Sequence, residues 1–370
     1  MIIKDIPWEV EPHTIIKHKI LEKYLYPWMA ILSSKHKRIV YLDGFAGPGE
    51  YLNKKGEIIN GSPLIAINCY LAHKLKKMIK EVCFIFIDKN PDVIKYLENK
   101  LKSYSNYQLK IKVINAEFEN AINNFFNKLD QNDQIIAPTF CFIDPFGIKG
   151  LPLTTIKKVI NKDHCEVFIN FMYEELIRFI SLPENEKNVC ELFGDDNEWK
   201  KYKNQTTPKE KYFFLVGLYE KQLRMSCESE CYIRTFSMIN KFNKYDYVMF
   251  FVTKNKLGLK KMKEAMWSVD ETGEFSFSDF TYNPYQATLF SKQPDYKKLK
   301  EEIIKKFNGK KVDAEEVFDY GLVNTAFLDS HVRKILTQLE EEKLILVERN
   351  GQKRKGAFPP RKTIIDFIIH

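Results

Sequence analysis

The chain has 370 residues, of which 44% are hydrophobic and 29% charged, with a formal net charge of +9. This composition suits a globular protein with room for more than one domain, and it excludes collagen-like, low-complexity and disordered chains. No apolar run reaches membrane-spanning length. The seven cysteines, an odd number set mostly in apolar runs (Cys83, Cys141, Cys165), read as buried thiols of a reducing compartment. The opening stretch MIIKDIPWEVEPHTIIK lacks the basic start and apolar run of a signal peptide, so a cytoplasmic protein is expected.

Along the chain, His13 and Lys17 lie four apart and share a face if the leading segment is helical. They either close over a bound ligand or cap a surface helix. The run RIVYLD (38–43) reads as a strand that ends in Asp43 and passes straight into a glycine loop. Gly44, Phe45, Ala46, Gly47 and Gly49 make up that loop. Bare backbone here argues for close approach to a ligand, or else for a tight strand-to-helix turn. The spacing is GxxGxG, not the GxGxxG of a dinucleotide loop. An acid ahead of the glycines suits a ligand with a positive group. S-adenosylmethionine (SAM) carries two, an α-amino group and a sulfonium.

A helix is expected near 62–80 and a strand over CFIFID (83–88). Its last residue, Asp88, stands where an acid holds two ribose hydroxyls; the other reading is a turn or cap acid ahead of Pro91. After a helix near 91–102 and the strand KIKVIN (110–115), Ala116 and Glu117 either lie beside an adenine or, for Glu117, favour a helix N-terminus. A helix over 117–129 leads to the strand FCFID (140–144), which ends in Asp144, Pro145 and Phe146. The Asp144 carboxylate and the Pro145 carbonyl can accept both hydrogens of an exocyclic amine and turn its lone pair toward a methyl donor. Phe146 can stack on a flipped base. The alternative is a proline-terminated strand with a buried Phe.

A helix near 151–161 and the strand CEVFINF (165–171) complete a run of almost uniformly apolar strands, as expected when helices cover both sheet faces. Residues 172–206 read as an insertion. A helix over 207–225 precedes two strands, 231–239 and 245–252, joined by a short turn and therefore antiparallel. Together these elements predict a doubly wound α/β sheet of the class I methyltransferase, Rossmann-like kind with a terminal antiparallel hairpin. Cys227 and Cys231 have no third cysteine nearby and the histidines no ligand spacing, so no metal is expected.

A helix over 256–267 follows, and from about 294 the chain changes character. Three helices, the third capped by Asp329 or Ser330, precede a hairpin over ILVERNGQKRKGAF with RNGQ at its tip. That pattern is a winged helix-turn-helix. The expected domains are therefore 1–290 and 291–370. From Arg349 to Lys362 the chain holds six basic residues and no acid. Arg349, Lys353, Arg354 and Lys355, with Arg333 on the third helix, are the expected nucleic-acid contacts, positioning phosphates rather than reading sequence.

The motifs LDGFAGPGEY, NGSPLIA, FIDPFG and FFVTKNKLGLKKMKEAMW, with the leading WEVEPHTIIKHKILEKYLYPW, together resemble the three-Cys-motif partner protein (TcmP) family. The likeness runs from Trp8 to about Trp267, and the family's usual C-terminal winged helix extends it. The resemblance implies a SAM-dependent methyltransferase and a partner, a three-cysteine protein that resembles radical-SAM enzymes. The DPFG motif is similar to that of tRNA guanine-N2 methyltransferases. The leading expectation is methyl transfer to an exocyclic amine of a nucleic acid base. A SAM-binding subunit of a complex, or methylation of a protein or small-molecule amine, stand beside it.

Overall fold

The computed structural model describes residues 6–194, 197–279, 294–351 and 356–368. Helix α1 (Pro12–Ser33) leads into β1 (Arg38–Asp43), and a small hairpin, β2 (Glu50–Leu52) with β3 (Ile58–Asn60), separates the glycine loop from α2 (Ser62–Leu71). Strand and helix then alternate through β4 (Glu81–Asp88), α3 (Pro91–Leu101), β5 (Lys110–Asn115), α4 (Phe118–Gln131), β6 (Thr139–Ile143), α5 (Leu153–Ile160) and β7 (Cys165–Phe171). The 172–206 stretch is helical, with α6 (Tyr173–Phe179), α7 (Glu186–Phe193) and short 3-10 turns. It is followed by α8 (Pro208–Ser226), β8 (Tyr232–Ile239), β9 (Tyr245–Thr253), α9 (Lys256–Trp267) and β10 (Ser276–Ser278).

The strands form one sheet in the order β10-β8-β9-β7-β6-β1-β4-β5. From β7 to β5 all neighbours are parallel, and β9 is antiparallel to both β7 and β8. This is the class I methyltransferase order with its reversed strand near one edge, and β10 extends that edge. The hairpin β2–β3 and strand β10 lie in stretches too short for periodicity to reveal.

The alternation of β1 shows why the sheet forms. Val40 and Leu42 face a core shared with Ile122 of α4, Ile156 of α5 and Tyr219 of α8. Tyr41 points the other way and stacks on Phe140, which also packs against Tyr24 and Trp28 of α1. Each such fully buried ring contributes roughly 1.5–3 kcal/mol relative to exposure.

The chain divides into two compact units, Met1–Gly258 with Ser276–Asn283, and Leu259–Phe275 with Pro284–His370. The expected boundary at 290 falls among residues outside those described. In the second unit α10 (Tyr296–Phe307), β11 (Lys311–Asp313), α11 (Ala314–Asn324), α12 (Asp329–Glu341), β12 (Ile345–Arg349) and β13 (Thr363–Phe367) follow in turn. The antiparallel sheet β11-β13-β12 completes a winged helix.

Two local expectations change. The N-cap of α12 is Leu328, whose backbone N–H is held by His331 Nδ1 at 3.2 Å, while the Asp329 carboxylate pairs with Lys260. The wing is also longer than RNGQ: β12 pairs with β13, Arg349 opposite Thr363 and Ile345 opposite Phe367. Thr363, Ile365 and Phe367 alternate inward, which fixes that register over the nearer GAF.

Lys263 of α9 is the unusual core residue of this unit. It is fully buried, and its ammonium donates to the carbonyls of Gly321, Leu322, Thr325 and Phe327 at 2.5–3.0 Å. It thereby satisfies carbonyls at and beyond the end of α11, where a cation also meets the negative end of the helix dipole.

Candidate active site

The site is built at the carboxyl edge of the sheet, where strand ends from β1, β4, β5, β6 and β7 meet. Asp43 ends β1 and is fully buried; it accepts the Tyr41 hydroxyl at 3.2 Å and the Phe45 N–H at 3.3 Å. Burial pushes its carboxyl up to about 7, against the lowering effect of hydrogen bonds from Ser62, Phe45 and Tyr41. Gly44 donates to the Phe142 carbonyl at 2.8 Å, and a Cβ there would come within 2.6 Å of the Phe118 ring.

The rest of the loop is tied to the next strand. Ala46 donates to the Ile87 carbonyl at 2.9 Å, and Gly47, at φ +61°, donates to Asp88 Oδ2 at 3.1 Å. Gly49, at φ +83°, lies where a Cβ would meet Leu97 at 2.7 Å. Asp88 also accepts the Asn90 N–H at 2.8 Å, and burial raises its pKa. The cap of α3 is Asn90, not Asp88, so the Asp88 carboxylate keeps lone pairs for a ligand. Ala116 donates its N–H to the Asp88 carbonyl at 3.1 Å. Glu117 occupies the N-cap position of α4 without a side-chain cap bond, and its side chain is exposed.

Asp144, just past β6, is held from two sides. Lys17 Nζ donates to Oδ2 at 2.5 Å and Asn170 Nδ2 to Oδ1 at 2.7 Å. Pro145 is buried, whereas Phe146 is 68% exposed and meets Trp8 edge-on at 5.5 Å. The structure thus replaces the buried-Phe alternative with a ring open to solvent. Trp8 is carried there by backbone bonds between Trp8, Val10 and Leu52, which lay the N-terminal segment along β2.

Lys17 and His13 share a face of α1, and both flank the Tyr247 ring, at 5.3 and 5.2 Å. They part from there. Lys17 goes to Asp144, while His13 enters an acidic cluster of Asp279 (2.8 Å), Glu11 (3.2 Å) and Asp246 (3.7 Å). Neither is a surface cap. Burial, with Lys17 beside it, pulls the His18 imidazole down to about 3 and keeps it neutral.

Sequence reasoning missed Asn170, His18, Trp8 and Tyr51, whose ring lies 6.4 Å from that of Trp8 and 5.9 Å from that of His18. The signal for Asn170 was a polar residue near the end of a strand otherwise buried throughout. Its Oδ1 and His18 Nδ1 are buried without a hydrogen-bond partner among the described residues.

In the second unit Arg333 stands exposed on α12 with its guanidinium over Phe318 at 5.3 Å. Arg349 turns inward instead, forming a paired contact with Glu340 at 2.7 and 2.5 Å and donating to the Ala357 carbonyl. Its charge is spent inside the wing rather than offered to phosphate. Lys353, Arg354 and Lys355 lie outside the described residues. No group of metal-binding side chains occurs among the described residues, and no helix there is long and apolar enough to cross a membrane.

The sheet order defines a class I methyltransferase fold joined to a winged helix. A family profile described as a GMT-like wHTH domain matches residues 270–351. Among solved structures, protein LPL1258 from Legionella pneumophila is 14% identical, covering 69% of this chain and 91% of its own at a TM-score of 0.41. The methyltransferase domain of a bacterial Hen1 (CtHen1-CN) is 13% identical, covering 63% and 99% at 0.31. A SAM-dependent methyltransferase from Agrobacterium tumefaciens is 10% identical, covering 66% and 62% at 0.34. No curated protein sequence matches the chain. The strand order, not these superpositions, carries the fold.

Proposed function

We propose that this chain transfers a methyl group from SAM to an exocyclic amine of a nucleic acid base. The observation that carries the reading is Asp144, a carboxylate beside Pro145 at a carboxyl strand end that already accepts two N–H donors, one from Lys17 and one from Asn170. A position that binds N–H groups from the protein suits an amine from a substrate.

The residues on the neighbouring strand ends fit SAM. Left-handed Gly47 keeps the loop backbone free to approach a ligand, Gly49 lets the loop pack closely on Leu97, and Asp88, tethered by the Gly47 N–H, has acceptors for two ribose hydroxyls. Asp43 suits the α-amino group, with Ala116 and Glu117 beside the adenine. Bound SAM supplies an electrophilic methyl group. Asp144 and the Pro145 carbonyl each hold one amine hydrogen, so the nitrogen lone pair leaves conjugation with the base. Lys17 and Asn170 fix the Asp144 carboxylate in that orientation. Phe146, open to solvent beside Trp8, stacks on the base.

The winged helix supports grip on the polymer, through Arg333 and the basic run Lys353, Arg354 and Lys355. Arg349 serves as an internal strut. The TcmP resemblance belongs to this proposal and rests on the quoted motifs. The test is incubation with methyl-labelled SAM and total DNA, RNA and protein fractions. Label in a nucleic acid fraction, lost in Asp144→Ala, supports the reading. SAM binding with label in no fraction moves the chain to a binding subunit of a complex with a three-cysteine protein.

A further inference from the structure

Among the described residues the exposed phenylalanines are Phe146, Phe213 and Phe242, at 68%, 56% and 70%. All three lie on one edge of one unit. Phe146 follows β6. Phe242 lies in the turn between β8 and β9, and the antiparallel pairing of β9 with β7, Val248 opposite Phe171, puts that turn at the carboxyl edge. The start of α8 is anchored there too. Tyr212 stacks on Tyr245 at 3.6 Å with planes 9° apart, and its hydroxyl meets Ser237 Oγ at 2.7 Å. Phe213, the next residue, lies 6.4 Å from the same Tyr245. Asp246 then reaches His13, one helical turn from Lys17 and so from Asp144.

These rings sit among cations. Lys209 Nζ lies 5.9 Å from the Phe213 ring centre and Lys241 Nζ 5.3 Å from that of Phe242, and Lys211 and Lys244 are each two residues along the chain from one of these rings. Among the described residues none of these four lysines forms an ion pair. Of the nearby acids, Glu210 folds back into the cap of α8, accepting from Thr206 and Thr207, while Glu174 lies at the base of the turn, accepting from Asn240 at 3.4 Å and pairing with Arg178 at 3.6 Å. Exposed rings interleaved with unpaired lysines are what a polyanion with free π-faces requires. A duplex hides its bases in the stack, so the surface selects single strands.

We infer that Phe213 and Phe242 form a stacking platform for unpaired bases, with Lys209, Lys211, Lys241 and Lys244 on the phosphates, that leads a single-stranded segment toward Asp144. The inference rests on the nucleic-acid reading above and adds to it a strand-holding surface in the catalytic unit, separate from the winged helix.

The test uses the full chain and its Phe213→Ala/Phe242→Ala variant. A fluorescein-labelled strand of about 20 nucleotides, as DNA and as RNA, and the matching duplex are titrated by anisotropy, with SAM affinity measured in parallel. The platform predicts a loss of about tenfold or more on the single strand, within the range for removing base stacking. Duplex affinity, SAM affinity and melting temperature should stay near those of the parent. Replacing both rings by Leu should also lose affinity, since bulk without a π-face does not restore stacking. Unchanged single-strand affinity in the double variant overturns the inference. So does an equal loss on strand and duplex, or a parent that binds no single strand. Strand binding that depends on the rings, with no methyl transfer to any nucleic acid, would keep the platform and remove the catalytic reading.

Discussion

Lys17 Nζ donates to Asp144 Oδ2 at 2.5 Å across 127 positions of sequence, with only 6% and 18% of the two side chains exposed. The pair ties the leading helix to the strand end proposed to hold the target amine. Lys17→Ala removes one of two anchors from a carboxylate that needs a fixed direction. Methyl transfer should fall roughly 10²-fold, the scale of a small misplacement of a reacting group. SAM affinity measured by calorimetry should change little. Full transfer by Lys17→Ala would make the pair merely structural.

Asp144→Ala should lose about 10²–10³ in transfer rate, by analogy with removing one preorganised acceptor. Asp144→Asn is the sharper variant. Its new amide must face Asn170 Nδ2, a second donor, unless Asn170 flips and offers its unpartnered Oδ1. Asp144→Asn should therefore retain measurable transfer, and adding Asn170→Leu should remove it. Equal rates for Asp144→Asn with and without Asn170→Leu would contradict the flip.

Asp43 sets a pH dependence. Its folded carboxyl is raised to about 7 by burial, so below that value it is protonated and cannot attract the α-amino group of SAM that it is proposed to hold. SAM affinity should rise with pH by at most about tenfold per unit and level off above neutrality. In the free protein the sign is opposite. The folded state binds the proton more tightly than the unfolded chain does, so this group's contribution to stability declines as pH climbs from the ordinary carboxylate range through 7. Asp43→Asn should flatten both slopes, read by calorimetry and by denaturation at several pH values.

The two left-handed glycines should differ. At Gly49, φ +83° and a Leu97 methyl at 2.7 Å both oppose a side chain, so Gly49→Ala should cost about 1–3 kcal/mol. At Gly47 the nearest atom is the Tyr51 hydroxyl at 3.2 Å, and the cost should be nearer about 1 kcal/mol. Chemical denaturation checks the order. Equal costs would mean that backbone conformation alone decides.

Arg349 and Arg333 should separate by readout. Arg349→Ala removes the paired contact to the Glu340 carboxylate, 16% exposed, and should lower stability by roughly 1–3 kcal/mol. Arg333→Ala should leave stability alone, weaken nucleic acid binding and reduce the salt slope by about 1. A salt titration of binding with parallel melts tells them apart.

The strand plan was legible because β1, β4, β6 and β7 are short, almost uniformly apolar runs, and an acid at or just past the end of the first three (Asp43, Asp88, Asp144) suggested a ligand role. What sequence did not reveal was pairing across distance. Arg349 and Glu340 lie only nine apart, yet a basic run reads as an outward patch until a carboxylate turns up beneath it. Lys17 looked like a helix-face residue because nothing near it in sequence names Asp144. Trp8 reaches Phe146 only through the hairpin β2–β3, whose strands are each three residues long. The wing's second strand was misread because GAF lies nearer and looks apolar, whereas the alternating Thr363, Ile365 and Phe367 supply the actual inward face.

The buried ammonium of Lys263 bears on how this winged helix is inherited. Residues 270–351 are the portion that a family profile identifies, but the cation that caps α11 lies upstream of it, on α9. A segment excised at that upstream limit would carry Gly321, Leu322, Thr325 and Phe327 without their shared donor. The portable cassette is therefore longer than its recognisable signature. A gene fusion that moves it intact must bring along the helix that otherwise looks like the tail of the preceding α/β unit.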